Sequence, residues 1–128
     1  MQNTHLIQKS TFVAAGLVWT LLSGAATVAA ETPPSAKEIT AAVSNHTYQG
    51  SMSAAGSGFA EFYAADGTIR AKGYSGKWRT EDGKMCFQYG DKPERCFAVT
   101  LNGPSMEMLK DGKIDGNGML LPGNPNNF

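Results

Sequence analysis

Residues 74–99 read YSGKWRTEDGKMCFQYGDKPERCFAV, and their punctuation decides the fold. Asp82-Gly83 is a two-residue hairpin signal, since the tight type I′ turn needs positive φ at both central positions. Such a turn sets Trp78 opposite Phe87 and Thr80 opposite Met85. A bond between Cys86 and Cys96 then sets Met85 opposite Phe97. Apolar side chains fall on one face and the two sulfurs on the other, the period-two pattern of a sheet with one buried face.

The same signal recurs on either side, at Asp66-Gly67, Asn102-Gly103 and Asp111-Gly112. A two-residue turn at Asp66-Gly67 puts Phe62 opposite Ala71, and a four-residue connection over Gly73–Gly76 puts Ala71 opposite Trp78. Asn102-Gly103 sets Phe97 opposite Met108 and Val99 opposite Met106. One face thereby collects Phe62, Ile69, Trp78, Met85, Phe87, Phe97, Val99, Met106 and Met108. A one-residue slip would throw a strand's apolar set onto the opposite face, so this convergence predicts an antiparallel meander of six or seven strands.

Ahead of the meander, Ser35-Ala36-Lys37-Glu38 matches a capping box. Ile39, Ala42 and Val43 form one apolar stripe on a short helix that should stop near Asn45. An irregular strand is expected over Thr47–Met52, with a Gly-, Ser- and Ala-rich loop to Gly58. The expected class is therefore mainly β (α+β): an N-terminal short helix packed on the meander. The meander either covers its apolar face with the helix stripe or curls into a small closed or half-open barrel.

Residues 1–30 read as an export signal. Lys9 supplies a positive start, residues 11–22 are the apolar run TFVAAGLVWTLL, and small residues lead to Val28-Ala29-Ala30. This is a secretory signal peptide with its cut after Ala30; Ser23-Gly24 interrupts the run before it could span a bilayer. The chain thus divides into a signal peptide (1–30), leader and helix (31–46), β-meander (47–119) and a loose tail (120–128) in which Leu120 and Leu121 cover the sheet edge. Export implies a periplasmic or secreted protein that does not span the membrane once cleaved. In that oxidising compartment Cys86 and Cys96 are expected to pair as a structural staple worth roughly 3 kcal/mol.

Composition narrows the function. A chain of 128 residues holds one small domain. Its 11 basic and 11 acidic residues cancel, which argues against a nucleic-acid partner. Two cysteines make neither a disulfide-dense scaffold nor a four-cysteine zinc site.

Residues that could carry chemistry mostly have structural readings. His46 follows the helix as a loop residue with no evident catalytic partner, and no serine sits in a G-x-S-x-G elbow. Asp111–Gly118 departs from a calcium loop at Lys113 and Pro122, and two successive turns account for its glycines and aspartates. Met106 and Met108, with Met52 and Met85, offer thioethers suited to copper(I), but the register points the Met106/Met108 pair into the core. No catalytic residue, metal or cofactor is expected.

The outer face carries the candidate site. The registers put Lys72 opposite Lys77 and Arg70 opposite Arg79, with Glu61 and Tyr63 on the neighbouring strand. Like charges directly opposite are destabilising. These cations are a solvated face, an edge-strand defence against aggregation, or a site for an anionic partner such as an acidic protein surface or a phosphate-bearing envelope component. On the last reading the partner-binding residues are Tyr63, Arg70, Lys72, Lys77 and Arg79.

The pattern Tyr63-x-x-Asp66-Gly67-Thr68, Gly76-Lys77-Trp78, Cys86-Phe87-x-Tyr89, Cys96-Phe97-x-Val99 and Asp111-Gly112-Lys113 resembles a group of small exported bacterial proteins of unknown function. That resemblance implies a helix followed by a Trp- and Cys-marked meander and an envelope location, and transfers no catalytic residue. More distantly, the chain is similar to bacterial periplasmic inhibitors of secreted metalloproteases, which implies action through the leader, Glu31 to Ser35. Three functions follow as expectations: a non-enzymatic binding or accessory module of the envelope, a hydrolase inhibitor, and a ligand carrier or small enzyme with a cavity inside the barrel. The bulk of Trp78, Phe87 and Phe97 argues against the third.

Overall fold

The structure, a computed structural model, describes residues 31–128; the expected signal peptide and its cut after Ala30 lie outside the described residues. A helix, α1 (Ala36–Val43), precedes eight strands: β1 (His46–Met52), β2 (Gly58–Tyr63), β3 (Thr68–Ala71), β4 (Tyr74–Glu81), β5 (Lys84–Gln88), β6 (Arg95–Asn102), β7 (Ser105–Lys110) and β8 (Lys113–Pro122). Each strand pairs antiparallel with the next, and β8 pairs with β1, so the meander is a closed barrel. The expected mainly β class, short helix and Cys86–Cys96 bond are all present.

The helix forms where its capping signal lies. Ser35 Oγ accepts from the Glu38 amide at 3.2 Å, and the Ser35 amide donates to Glu38 Oε2 at 2.8 Å. Ile39 and Val43 are fully buried and share one core with Tyr48, Trp78, Met85 and Leu120. Sheet closure and helix packing, set out above as alternatives, therefore coexist: the helix stripe stoppers the end of the barrel at which β1 begins. The leader is tied down beside it, since the Gly83 amide donates to the Pro34 carbonyl at 2.8 Å and the Ala36 amide to Asp82 Oδ1 at 2.9 Å.

The central registers match expectation: Trp78 faces Phe87, Thr80 faces Met85, and Met85 faces Phe97. Three others are corrected. At β6–β7 the tight turn is Gly103-Pro104, so Val99 faces Met108 and Leu101 faces Met106. A displacement of two residues leaves every side chain on its expected face, and Met106 and Met108 are both buried. At β3–β4 the turn is Lys72-Gly73, with Gly73 at φ +83° and Ala71 facing Tyr74. Gly76 belongs to β4, where it faces Ile69.

The third correction matters most. Asp66 does not have the positive φ that a type I′ turn requires; Gly67 alone in that turn does, at +88°. The Gly67 amide closes onto Ala64 O at 3.0 Å and the Ala64 amide onto Thr68 O at 2.8 Å, giving a three-residue loop with a left-handed glycine last. The extra loop residue shifts β2 by one, pairing Phe62 with Arg70 and Tyr63 with Ile69. Phe62 consequently turns outward beneath Arg70, whose guanidinium lies 6.0 Å from the ring centroid, while Glu61 and Tyr63 turn into the barrel.

The eighth strand also departs from expectation. Asp111-Gly112 is a turn with both φ positive, but Asp115–Gly118 is strand rather than a second turn. β8 continues through Leu120 and Leu121 to Pro122, so these residues are not part of a loose tail. Gly118 faces Gly50 across the β1–β8 seam, and a Cβ at Gly118 would meet Tyr48 Cζ at 2.7 Å. Gly118, which looks like a turn signal, makes room with Gly50 for the fully buried Tyr48 ring, whose hydroxyl donates to Met106 O at 3.2 Å.

Candidate functional site

Opposite the helix, the barrel opens into a cavity of about 470 Å³ lined by Met52, Phe59, Glu61, Tyr63, Tyr74, Phe87, Tyr89, Lys92, Pro93, Arg95, Phe97 and Met108. Phe87 and Phe97 line it rather than fill it, because the eighth strand widens the closed interior to a bore that can hold one small ligand. The wall is aromatic: Phe87 packs edge-on to Phe97 at 6.0 Å between centroids, and Tyr74 edge-on to Tyr89 at 5.9 Å.

Glu61 is only 3% exposed. Alternation along β2 aims it inward together with Phe59 and Tyr63. Three phenols converge on its carboxylate from three segments. Tyr63 donates to Oε2 at 3.0 Å, Tyr74 at the start of β4 to Oε1 at 2.9 Å, and Tyr89 just past β5 to Oε1 at 2.8 Å and Oε2 at 3.0 Å. A buried carboxylate is tolerable only when hydrogen bonds replace its water. No cation does so here: the ion pairs among the described residues are Arg79–Glu81 and Arg79–Glu94.

The electrostatics lock the protons in place. Burial first, and the Glu61 charge second, hold the hydroxyls of Tyr63, Tyr74 and Tyr89 well above the ordinary phenol value. Each proton is committed to the carboxylate, so Tyr74 and Tyr89 keep only lone pairs and ring faces for anything entering the cavity.

The residues singled out from sequence are placed differently. Tyr63 is fully buried inside the barrel, on the face opposite the outer cations. Lys72 lies in the β3–β4 turn, Lys77 faces Thr68, Arg70 faces Ser75, and Arg79 faces Cys86, so the expected like-charge pairs do not occur. The cause is the tight Lys72-Gly73 turn in place of a four-residue connection. Arg79 is engaged instead by Glu94, with Nε donating to Oε2 at 2.8 Å, and by Glu81. Glu81 and the two sulfurs lie within 4.8 Å of one another, but both cysteines are in the disulfide and offer no thiolate. His46 opens β1 rather than occupying a loop, its Nδ1 2.8 Å from Ser44 O.

Sequence reasoning missed Glu61, Tyr74 and Tyr89 as a group. The signal was present in the stretch GFAEFY at 58–63, where Phe59, Glu61 and Tyr63 alternate as regularly as Ala60, Phe62 and Ala64. Turn length alone chooses between the two phases.

No family model matches the chain, and no curated protein or solved structure matches it.

Proposed function

We propose that the protein is a non-enzymatic binder of one small ligand, exported by its N-terminal signal and held in an oxidising compartment. The carrying observation is the 470 Å³ cavity at the open end, floored by a carboxylate that three tyrosines solvate. Apolar walls with a few convergent polar groups are the common composition of a ligand pocket. The Cys86–Cys96 bond supports the compartment, since such bonds persist where the surroundings oxidise.

The test is uptake of the fluorescent apolar probe N-phenyl-1-naphthylamine by the purified protein. Saturable uptake with enhanced emission is expected, and Met52→Trp, which narrows the mouth, should reduce it without lowering the melting temperature. Absence of saturable uptake overturns the reading, as does uptake indifferent to Met52→Trp.

A further inference from the structure

We infer that the ligand is a compact amphoteric molecule whose ammonium docks on the Tyr74–Tyr89–Glu61 cluster and whose acidic end pairs with Lys92 and Arg95 on the facing rim of the same cavity. This rests on the ligand-binding reading and adds to it the ligand's chemical class and orientation.

Three features carry it. First, the Glu61 cluster is negative and offers acceptors. Glu61 has no cationic partner among the described residues, and Tyr63, Tyr74 and Tyr89 spend their protons on it. An N–H donor can bond the outward lone pairs of the phenols, and its positive charge offsets the buried carboxylate. An anionic head would meet like charge and find no free donor. Second, the cavity wall is aromatic, and the rings of Phe59, Phe87 and Phe97 suit both an apolar body and an adjacent cation. Third, the mouth has the opposite sign. Lys92 and Arg95 both line the cavity, neither is in an ion pair among the described residues, and Arg95 lies 5.7 Å over the Phe97 ring. A simple amine would be repelled on entry; a molecule with a carboxylate or phosphate at its trailing end would not.

Calorimetric titration with four probes sharing one phenyl body reads this polarity: 4-(2-aminoethyl)benzoate, 2-phenylethylamine, 2-phenylethanol and 3-phenylpropionate. The amphoteric probe should bind about tenfold tighter than the amine, and the amine tighter than the alcohol. The phenylpropionate, which can use only Lys92 and Arg95, should bind more weakly than the amphoteric probe. In Lys92→Gln/Arg95→Gln, a change confined to the mouth, the amphoteric probe should fall to the affinity of the amine. In Glu61→Gln the preference for amine over alcohol should disappear. Equal binding of all four probes overturns the inference while leaving the cavity reading intact, and so does an advantage of the amphoteric probe that survives the mouth substitutions. Failure of all four together with N-phenyl-1-naphthylamine overturns both.

Discussion

Gly76 lies flat against the ring of Tyr89: a Cβ at Gly76 would stand 2.8 Å from Tyr89 Cδ1 and 2.7 Å from the Gln88 carbonyl oxygen. The missing side chain lets the Tyr89 ring cross the start of β4 and place its hydroxyl on both oxygens of Glu61. Because the close neighbour is backbone as well as ring, the site cannot absorb a methyl by rotating one side chain. Gly76→Ala should cost about 1–3 kcal/mol in urea unfolding, and it should weaken uptake of N-phenyl-1-naphthylamine by disordering the floor. Unchanged uptake would detach Tyr89 from the site.

The carboxylate and its phenols should be unequal partners in stability. Glu61→Ala strips three hydroxyls of their acceptor at once, and one of them, on Tyr63, is fully buried. An unsatisfied buried donor costs ~1–3 kcal/mol, so the loss should be about 3 kcal/mol or more. Tyr74→Phe removes one donor from a residue that is 44% exposed and leaves Glu61 two others; its cost should stay below ~1 kcal/mol. Denaturant midpoints of the two variants check this ordering.

Alkaline pH should unfold the protein before any tyrosine titrates in its folded state. The chain has four tyrosines, and burial raises all four above the ordinary value of 10.0, Tyr48 to about 12. The native phenols hold their protons more tightly than those of the unfolded chain. Their contribution is therefore complete below pH 10 and lost as pH rises through the window from about 10 to 12 and beyond. Phenolate absorbance at 295 nm should rise together with loss of the far-ultraviolet β signal. A tyrosine titrating near pH 10 in the folded protein would contradict this.

Deleting Ala65 tests the turn that turns β2 over. With Ala65 gone, Ala64 and Thr68 flank a two-residue Asp66-Gly67 turn, and Phe62 stays opposite Arg70 and Tyr63 opposite Ile69, so both faces of β2 are kept. The buried contacts of Tyr63 with Trp78 and Phe87, at 6.2 and 6.0 Å between centroids, are kept with it. The deletion should keep one cooperative thermal transition, as should Ala65→Gly at the same exposed loop position, each with a melting temperature within several degrees of the parent; loss of the cooperative transition on deletion would contradict this placement of the turn.

Local chemistry was legible wherever its cause is local. The capping box, the helix stripe, the disulfide and the central β4–β5–β6 registers follow from short-range rules applied to Ser35–Glu38, Asp82-Gly83 and the two cysteines. Even the misjudged β6–β7 turn kept its faces, because an even shift preserves alternation. The errors arose where one residue more or less in a loop decides everything downstream. Asp66-Gly67 is compatible with a two- or a three-residue turn, and β2 has apolar side chains on both of its faces, so neither pattern nor propensity chooses between them.

Residue order and short-range chemistry suffice for a mainly β chain, opened by a capped helix and stapled between β5 and β6. Closure of the barrel by β8 onto β1 emerges only in the folded molecule, because that pairing joins distant segments and depends on Gly50 and Gly118 clearing space for Tyr48. Closure in turn decided the site. Glu61 and Tyr63 on β2, Tyr74 on β4 and Tyr89 past β5 come from three separate segments, and each reads alone as an ordinary surface or core residue. A charge can stay buried only where several donors arrive together, and that convergence is a property of the closed ring of strands.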